Sequence, residues 1–438
     1  MATSTHGGVF SRRLIWWLLG LGYVGIAWAF SVIQPLGRTP DEPSHMEYVQ
    51  FLAERGRFPL WEPSGGGEAG YESQHPPLYY ALMAGLYSAT RGLEERWRWH
   101  VLRWATIGLG CALFVVSARL FRRVWPREPA LAWSATATAL LMPLTILYTG
   151  YVNPDALAQL CCATALWLAV ETATSEPRFG RALWLGAAIG LGCLAKLSAA
   201  PALLAALLAY RLQSRANRSA ETLRSAGVTF GVWLAVCGWW YVRNALLYGT
   251  PFIHTTAPYG SALANVLRGT GGLGLLAWLT LRETYLSSWL QRGWLPAGWP
   301  EFALYGLIIL ATVTALAGLV RRARRSRLSE QRRSPLDVAL HLGGWLLVSV
   351  IVGHQFAYWF ADVEFNAGGR YVLVAMPVIA LGIVAGTSAL LRGRWLRIAL
   401  AVWLLGLVVM NAASAYNILT VLNPRYAPSW QIFHFPPQ

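Results

Sequence analysis

Apolar runs close to the roughly 20 residues that carry a helix across a bilayer recur from one end of this chain to the other. The first is Leu14 to Ile33, and others follow at 102–121, 130–148, 156–173, 228–247, 302–320, 337–356, 372–391 and 395–416. Between them, 182–210 reads as two short helices bent near Lys196 to Pro201. No run alternates with the period of two that a barrel strand would show. With 55% hydrophobic and only 13% charged residues, the chain falls far from soluble composition. The expected architecture is an all-α polytopic membrane protein of about eleven transmembrane helices.

Charge sets the orientation. Arg12 and Arg13 precede the first run, which puts the N-terminus in the cytoplasm of a multi-pass cell-membrane protein. Assigning the remaining loops in turn gives 22 arginines and 6 acids on the cytoplasmic side, against 13 arginines and 14 acids outside. The net charge of +16 is therefore a topological signal, and a nucleic-acid partner is not indicated. Ala27-Trp28-Ala29 resembles a leader-peptidase site, but the run before it is longer than a leader's apolar core, so no cleavage is expected. All five cysteines lie inside apolar runs, which argues against a disulfide framework or a thiolate metal site. No stretch reads as a soluble C-terminal domain, so 1–438 is expected to be one transmembrane domain with external loops at 36–101 and 249–301.

The first of these loops stands apart. From Thr39 to Tyr80 it carries Asp41, Glu42, Glu47, Glu54, Glu62, Glu68 and Glu72, with His45 and His75, several prolines and a triple glycine. Carboxylates and imidazoles gathered on an irregular segment above a rigid scaffold suit acid-base or metal chemistry. Leu78 to Ala89 is too short to span, and Arg91 to Arg103 sets Trp97 and Trp99 among arginines; both read as interfacial helices. The second external loop is punctuated by Gly and Pro around one amphipathic helix. Asp155, Arg243 with Asn244, and Arg370 with Tyr371 all fall on the same external face, so four polar insertions converge there.

The order of short motifs on that face resembles the type C glycosyltransferase superfamily, near its protein-O-mannosyltransferase-like and aminoarabinose-transferase-like branches. The motifs are PDEPSH from Pro40 to His45, YESQHPPLYY from Tyr71 to Tyr80, NPD from Asn153 to Asp155, LAKL around Lys196, GWWYVRN from Gly238 to Asn244, and GRY from Gly369 to Tyr371. The resemblance covers most of the chain and implies the type C fold. It also implies that Asp41 is the general base on the acceptor hydroxyl, with Asp155 the next acid to consider. The donor it implies is a polyprenyl-phosphate-linked sugar, which makes a nucleotide cofactor unnecessary; the acceptor would be a glycan, lipid or protein. Glu42, Glu72 and His75 fit binding of a divalent cation or orientation of the acceptor, while His45 reads as a structural partner of the acids.

Arg243 and Arg370 are the candidates for the donor phosphate, because guanidinium pairs bidentately with phosphate oxygens. The bland alternative for them is an ion pair with Asp362 or Glu364. Lys196, the only lysine in the chain, reaches a lipid headgroup or phosphate, or snorkels. Asn244 and Tyr371 accompany the arginines in the substrate-binding set. The glycan sequon at Asn217 falls on the cytoplasmic side and is set aside. Two competing readings are a secondary transporter or lipid flippase, for which internal repeats and mid-membrane polar groups are wanting, and a polysaccharide polymerase or ligase, which leaves Asp41 and Glu42 unexplained.

Overall fold

The computed structural model describes residues 5–62, 66–216, 220–253, 273–289, 299–326, 334–356 and 369–423. Helix α1 (Thr5–Ile33) is followed by α2 (Glu42–Arg55), a minimal hairpin of β1 (Trp61–Glu62) and β2 (Gly66–Gly67), and α3 (Leu78–Ala89). Then come α4 (Glu95–Val124), α5 (Pro129–Leu141), α6 (Pro143–Thr149), α7 (Asp155–Thr174), α8 (Phe179–Ala195), α9 (Ala202–Ala216) and α10 (Ala220–Tyr248). Helices α11 (Leu273–Trp289), α12 (Trp299–Ser326), α13 (Pro335–Val350), α14 (Met376–Leu390) and α15 (Gly393–Asn417) complete the order.

Among the described residues, eight helices are long and apolar enough to cross a membrane, and α5 with α6 makes a ninth if the bent pair is one span. The expected eleven counts α8 and α9 as spans. At 17 and 15 residues these are shorter apolar helices outside the eight or nine counted by length and composition; a helix of 17 residues covers about 25 Å of a core about 30 Å thick. Their break falls at Lys196, inside the expected bend. The run at 130–148, expected to be continuous, turns by 59° where Pro143 removes a backbone donor and crowds the preceding turn.

The membrane edge differs from expectation in two more places. Arg91 to Arg103 is not a separate interfacial helix, because from Glu95 it is continuous with the span in one 30-residue α4. The acidic loop is less irregular than its prolines suggest: Pro43 sits in the first turn of α2, where a missing N–H is harmless, and Gly56 ends that helix in the left-handed conformation. Helix α3 keeps its expected bounds.

Burial separates core spans from lipid-facing ones. In α7 and the segment containing α14, 72% and 78% of the apolar window is inside the protein, against 22–39% for the other spans. Trp17, Leu18 and Leu21 on α1 and Val402 and Leu405 on α15 are exposed, as suits contact with acyl chains. Close helix crossings use small residues: a Cβ on Gly386 of α14 would collide with the backbone of Ala315 on α12. The cap formed by α2, the hairpin and α3 packs through α3 against α8, and its turn at Gln74 and His75 shares a cavity wall with Lys196 and Ser198 at the break between α8 and α9.

Candidate active site

Asp41 is the residue before the first turn of α2, where an aspartate commonly accepts a backbone N–H. It makes no such capping bond and holds a left-handed backbone, φ 60° and ψ 1°. Its carboxylate instead meets the Arg370 guanidinium. Arg370 leads the 3₁₀ turn Gly369–Ala375, donates to the Tyr371 hydroxyl at 3.1 Å, and lies 5.1 Å from that ring's centre. The side chains of Arg370 and Asp41 are 27% and 37% exposed, so an incoming ligand can reach both. Asp362 and Glu364, the alternative ion-pair partners for Arg243 and Arg370, lie outside the described residues.

Its neighbour Glu42 has a different fate. It is fully buried against Arg103 of α4, with Nε to Oε1 at 2.8 Å and Nη2 to Oε2 at 2.5 Å. The remaining Arg103 N–H groups reach the carbonyls of Ser31, Gln34 and Pro35. Glu42 also accepts from the Thr39 hydroxyl at 2.8 Å and from the backbone of Gly37 and Val152 at 3.2 Å. Burial opposes its charge, but Arg103 and these donors hold its carboxyl below the ordinary carboxylate range. Through these contacts Glu42, expected as a catalytic acid or metal ligand, joins α1, α2, α4 and the turn before α7.

Glu72, in the 3₁₀ turn Gly70–Gln74, lies 2.6 Å from His75 Nδ1 and 3.8 Å from His45 Nδ1. The Tyr80 hydroxyl stands between the imidazoles, at 2.9 Å from His45 Nδ1 and 3.0 Å from His75 Nδ1. Tyr80 is fixed by stacking on Tyr48, with ring centres 4.0 Å apart. One ligand atom each from His45, Glu72 and His75 fall within 4.8 Å of one another. Burial, with His75 and Lys196 nearby, takes His45 down to about 4 despite Glu72 and Asp41, so its imidazole is neutral at neutral pH. Burial disfavours the Glu72 carboxylate, yet the two histidines hold it well below its ordinary range. His45 therefore belongs to the cluster in place of Glu42, a membership that sequence spacing did not reveal.

Asp155 opens α7 and is 3% exposed, with both oxygens 2.8 Å from Lys196 Nζ. Lys196 occupies the extended residue between α8 and the following 3₁₀ turn, and its Nζ lies 5.7 Å from the Tyr371 ring centre. It does not snorkel; it is a buried ion pair whose other face borders the site. Asp155, expected as the next candidate base, is engaged behind it.

These side chains border a cavity of about 120 Å³ that includes Asp41, His45, Glu72, His75, Lys196 and Arg370 in its wall. Helix α10 contributes Trp240, Tyr241 and Asn244. Arg243, expected on the donor phosphate, is not part of this wall: it reaches the Pro59 carbonyl and Asn244 Oδ1, each at 3.2 Å, and covers Trp240. It ties the cap to α10. The structure therefore brings together Asp41, Glu72, His75, Lys196, Asn244, Arg370 and Tyr371, sets Glu42, Asp155 and Arg243 behind or beside them, and adds His45, Tyr80 and Arg103.

No known family profile and no curated protein sequence matches the chain. Solved structures do. ArnT from Cupriavidus metallidurans bound to undecaprenyl phosphate superposes with a TM-score of 0.51 at 17% identity, over 92% of this chain and 75% of that one. The oligosaccharyltransferase AglB from Archaeoglobus fulgidus, in complex with an inhibitory peptide and a dolichol-phosphate, gives 0.59 at 13% identity over 95% of this chain. The same organism's oligosaccharyltransferase in complex with Zn and sulfate gives 0.55 at 13% over 91%. This chain spans about half the length of the archaeal enzyme, 53–56%. At these identities the likeness is one of architecture: the chain shares the polytopic membrane fold of ArnT and of the archaeal oligosaccharyltransferase.

Proposed function

We propose that the chain is an integral membrane glycosyltransferase that moves a sugar from a polyprenyl-phosphate-linked donor to an acceptor hydroxyl of a glycan, lipid or protein. The observation that carries the reading is the Asp41 and Arg370 pair, reachable on the wall of a cavity in this fold. In the mechanism, the donor phosphate takes the Arg370 guanidinium and releases Asp41 from its counter-ion. Asp41 then removes the acceptor proton while the acceptor oxygen bonds to the anomeric carbon. The bond from that carbon to the phosphate oxygen breaks, and its electron pair leaves on polyprenyl phosphate, whose charge Arg370 stabilises. The proton passes from Asp41 to solvent.

Support for the donor class comes from the neighbours: ArnT is bound to undecaprenyl phosphate and AglB to a dolichol-phosphate. Support for an extracytoplasmic site with a cytoplasmic N-terminus comes from the arginine asymmetry. A divalent cation fits His45, Glu72 and His75, since two imidazoles and a carboxylate suit a borderline metal such as Zn²⁺ and His45 is neutral. When bound it would supply positive charge next to Asp41.

One observation favours a second reading, a secondary transporter: the broken span of α5 and α6. The break has a local cause in Pro143, and neither half carries a charged residue. Asp41→Asn separates the two readings. It should lower sugar transfer by about 10²–10⁴-fold with lipid phosphate still bound, whereas a transporter would transfer no sugar in any variant.

A further inference from the structure

We infer that Ser198 and Gln74 are the sugar-reading groups of the cavity, and that what they read is sugar hydroxyls. The inference rests on the glycosyltransferase reading above. Both residues line the cavity, Ser198 from the break between α8 and α9 and Gln74 from the turn before Pro76. Ser198 Oγ and Gln74 Oε1 are buried and have no hydrogen-bond partner, and Ser198 is only 4% exposed.

Several buried hydroxyls bond back to the preceding helical turn: Thr106 to Leu102, Thr136 to Ala132, Thr149 to Thr145 and Ser414 to Met410. Ser117, Thr172, Thr284 and Ser198 have no partner, and of these four Ser198 is the one that lines the cavity. That local bond is the default for Ser and Thr in helices. Ser198 follows the extended Lys196 in a single 3₁₀ turn, and its hydroxyl makes no bond of this kind. Gln74 is similarly held by its backbone, since the next residue's N–H caps the turn on Glu72 at 2.9 Å. An unmade hydrogen bond at a buried polar atom is unfavourable, so both atoms call for a ligand that can donate to an amide oxygen and exchange bonds with a hydroxyl.

Among the described lining residues, Arg370 is paired with Asp41 and Lys196 with Asp155. The donor phosphate takes Arg370, and the Asp41 it releases becomes the base. The unsatisfied atoms of Ser198 and Gln74 are neutral, and sugar hydroxyls match them.

The test uses purified full-length protein in nanodiscs and four probes: undecaprenyl phosphate and its glucosyl, mannosyl and glucosaminyl conjugates. Wild type should bind at least one of the three sugar conjugates more tightly than bare undecaprenyl phosphate. Ser198→Ala and Gln74→Leu should each reduce that gain by roughly 2–10-fold while leaving the affinity for bare undecaprenyl phosphate unchanged, which also shows that the variants are folded. A wild type that gains nothing from any of the three sugars would overturn the inference. So would variants that keep the full gain, in which case water satisfies these groups, or variants that weaken bare phosphate equally. Wild type that binds none of the four removes the glycosyltransferase reading itself, and the inference with it.

Discussion

Arg370 and Asp41, 329 residues apart in sequence, form an ion pair on the wall of the cavity. In the proposed mechanism the pair links donor binding to the base: a phosphate that draws off the guanidinium would leave the carboxylate without its counter-charge next to the reacting atoms. Arg370→Ala should therefore weaken undecaprenyl phosphate binding by at least tenfold, since it removes a charge-assisted bidentate contact. Arg370→Lys, with the charge but not the planar fork, should fall between. Equal affinities in all three proteins, measured by titration in nanodiscs, would take Arg370 off the phosphate.

The Glu42 and Arg103 pair should behave as structure, not chemistry. Glu42→Gln leaves a fully buried guanidinium without its counter-ion and should destabilise the fold by about 3–5 kcal/mol. Glu42 titrates lower in the folded protein than the unfolded value of about 4.3. Its contribution is thus fully present above about pH 4.3 and fades as pH falls through the folded value. The gap in melting midpoint between wild type and Glu42→Gln should be constant at neutral pH and narrow in acid. A gap that does not change with pH would contradict this assignment.

Zn²⁺ titration addresses the histidine cluster. His75→Ala and His45→Ala should abolish measurable binding, while Tyr80→Phe, which keeps both ligands and loses the hydroxyl that orients them, should weaken it about 10–100-fold. Binding unchanged in His45→Ala would return His45 to a purely structural part.

Orientation can be read by cysteine labelling in a background without the five native cysteines. Glu54→Cys, exposed at the end of α2, should label from outside, and Arg324→Cys, exposed at the end of α12, only after permeabilisation. The reverse pattern would put the cavity in the cytoplasm.

Much of the fold is legible in the sequence because the bilayer imposes lengths on apolar runs. Helix α3 is legible to the residue, as Pro76 and Pro77 precede it and Thr90 to Gly92 follow it. The site is legible as a set of residues on one face but not as a set of pairs. Nothing local distinguishes Asp41 from Glu42; the left-handed backbone at Asp41 turns the two carboxylates to different partners. Arg103 reads as an interfacial arginine because its partners, Ser31 to Glu42, are fixed only when α1 and α4 pack. The nearest acids to Arg370 in sequence are Asp362 and Glu364, so its pairing with Asp41 is a product of topology. Ser198 gives no sequence signal at all, since a serine in an apolar run ordinarily bonds to its own helix.

The central claim is that Asp41 removes the acceptor proton while Arg370 holds the donor phosphate, and Asp41→Asn tests it most directly. The measurement is sugar transfer from an undecaprenyl-phosphoryl donor, with undecaprenyl phosphate affinity recorded on the same preparation. The account predicts that transfer falls by about 10²–10⁴-fold while affinity is retained or tightened, because Arg370 loses a competing carboxylate. Transfer at the wild-type rate, or a loss of transfer that merely follows a loss of lipid phosphate binding, would contradict it.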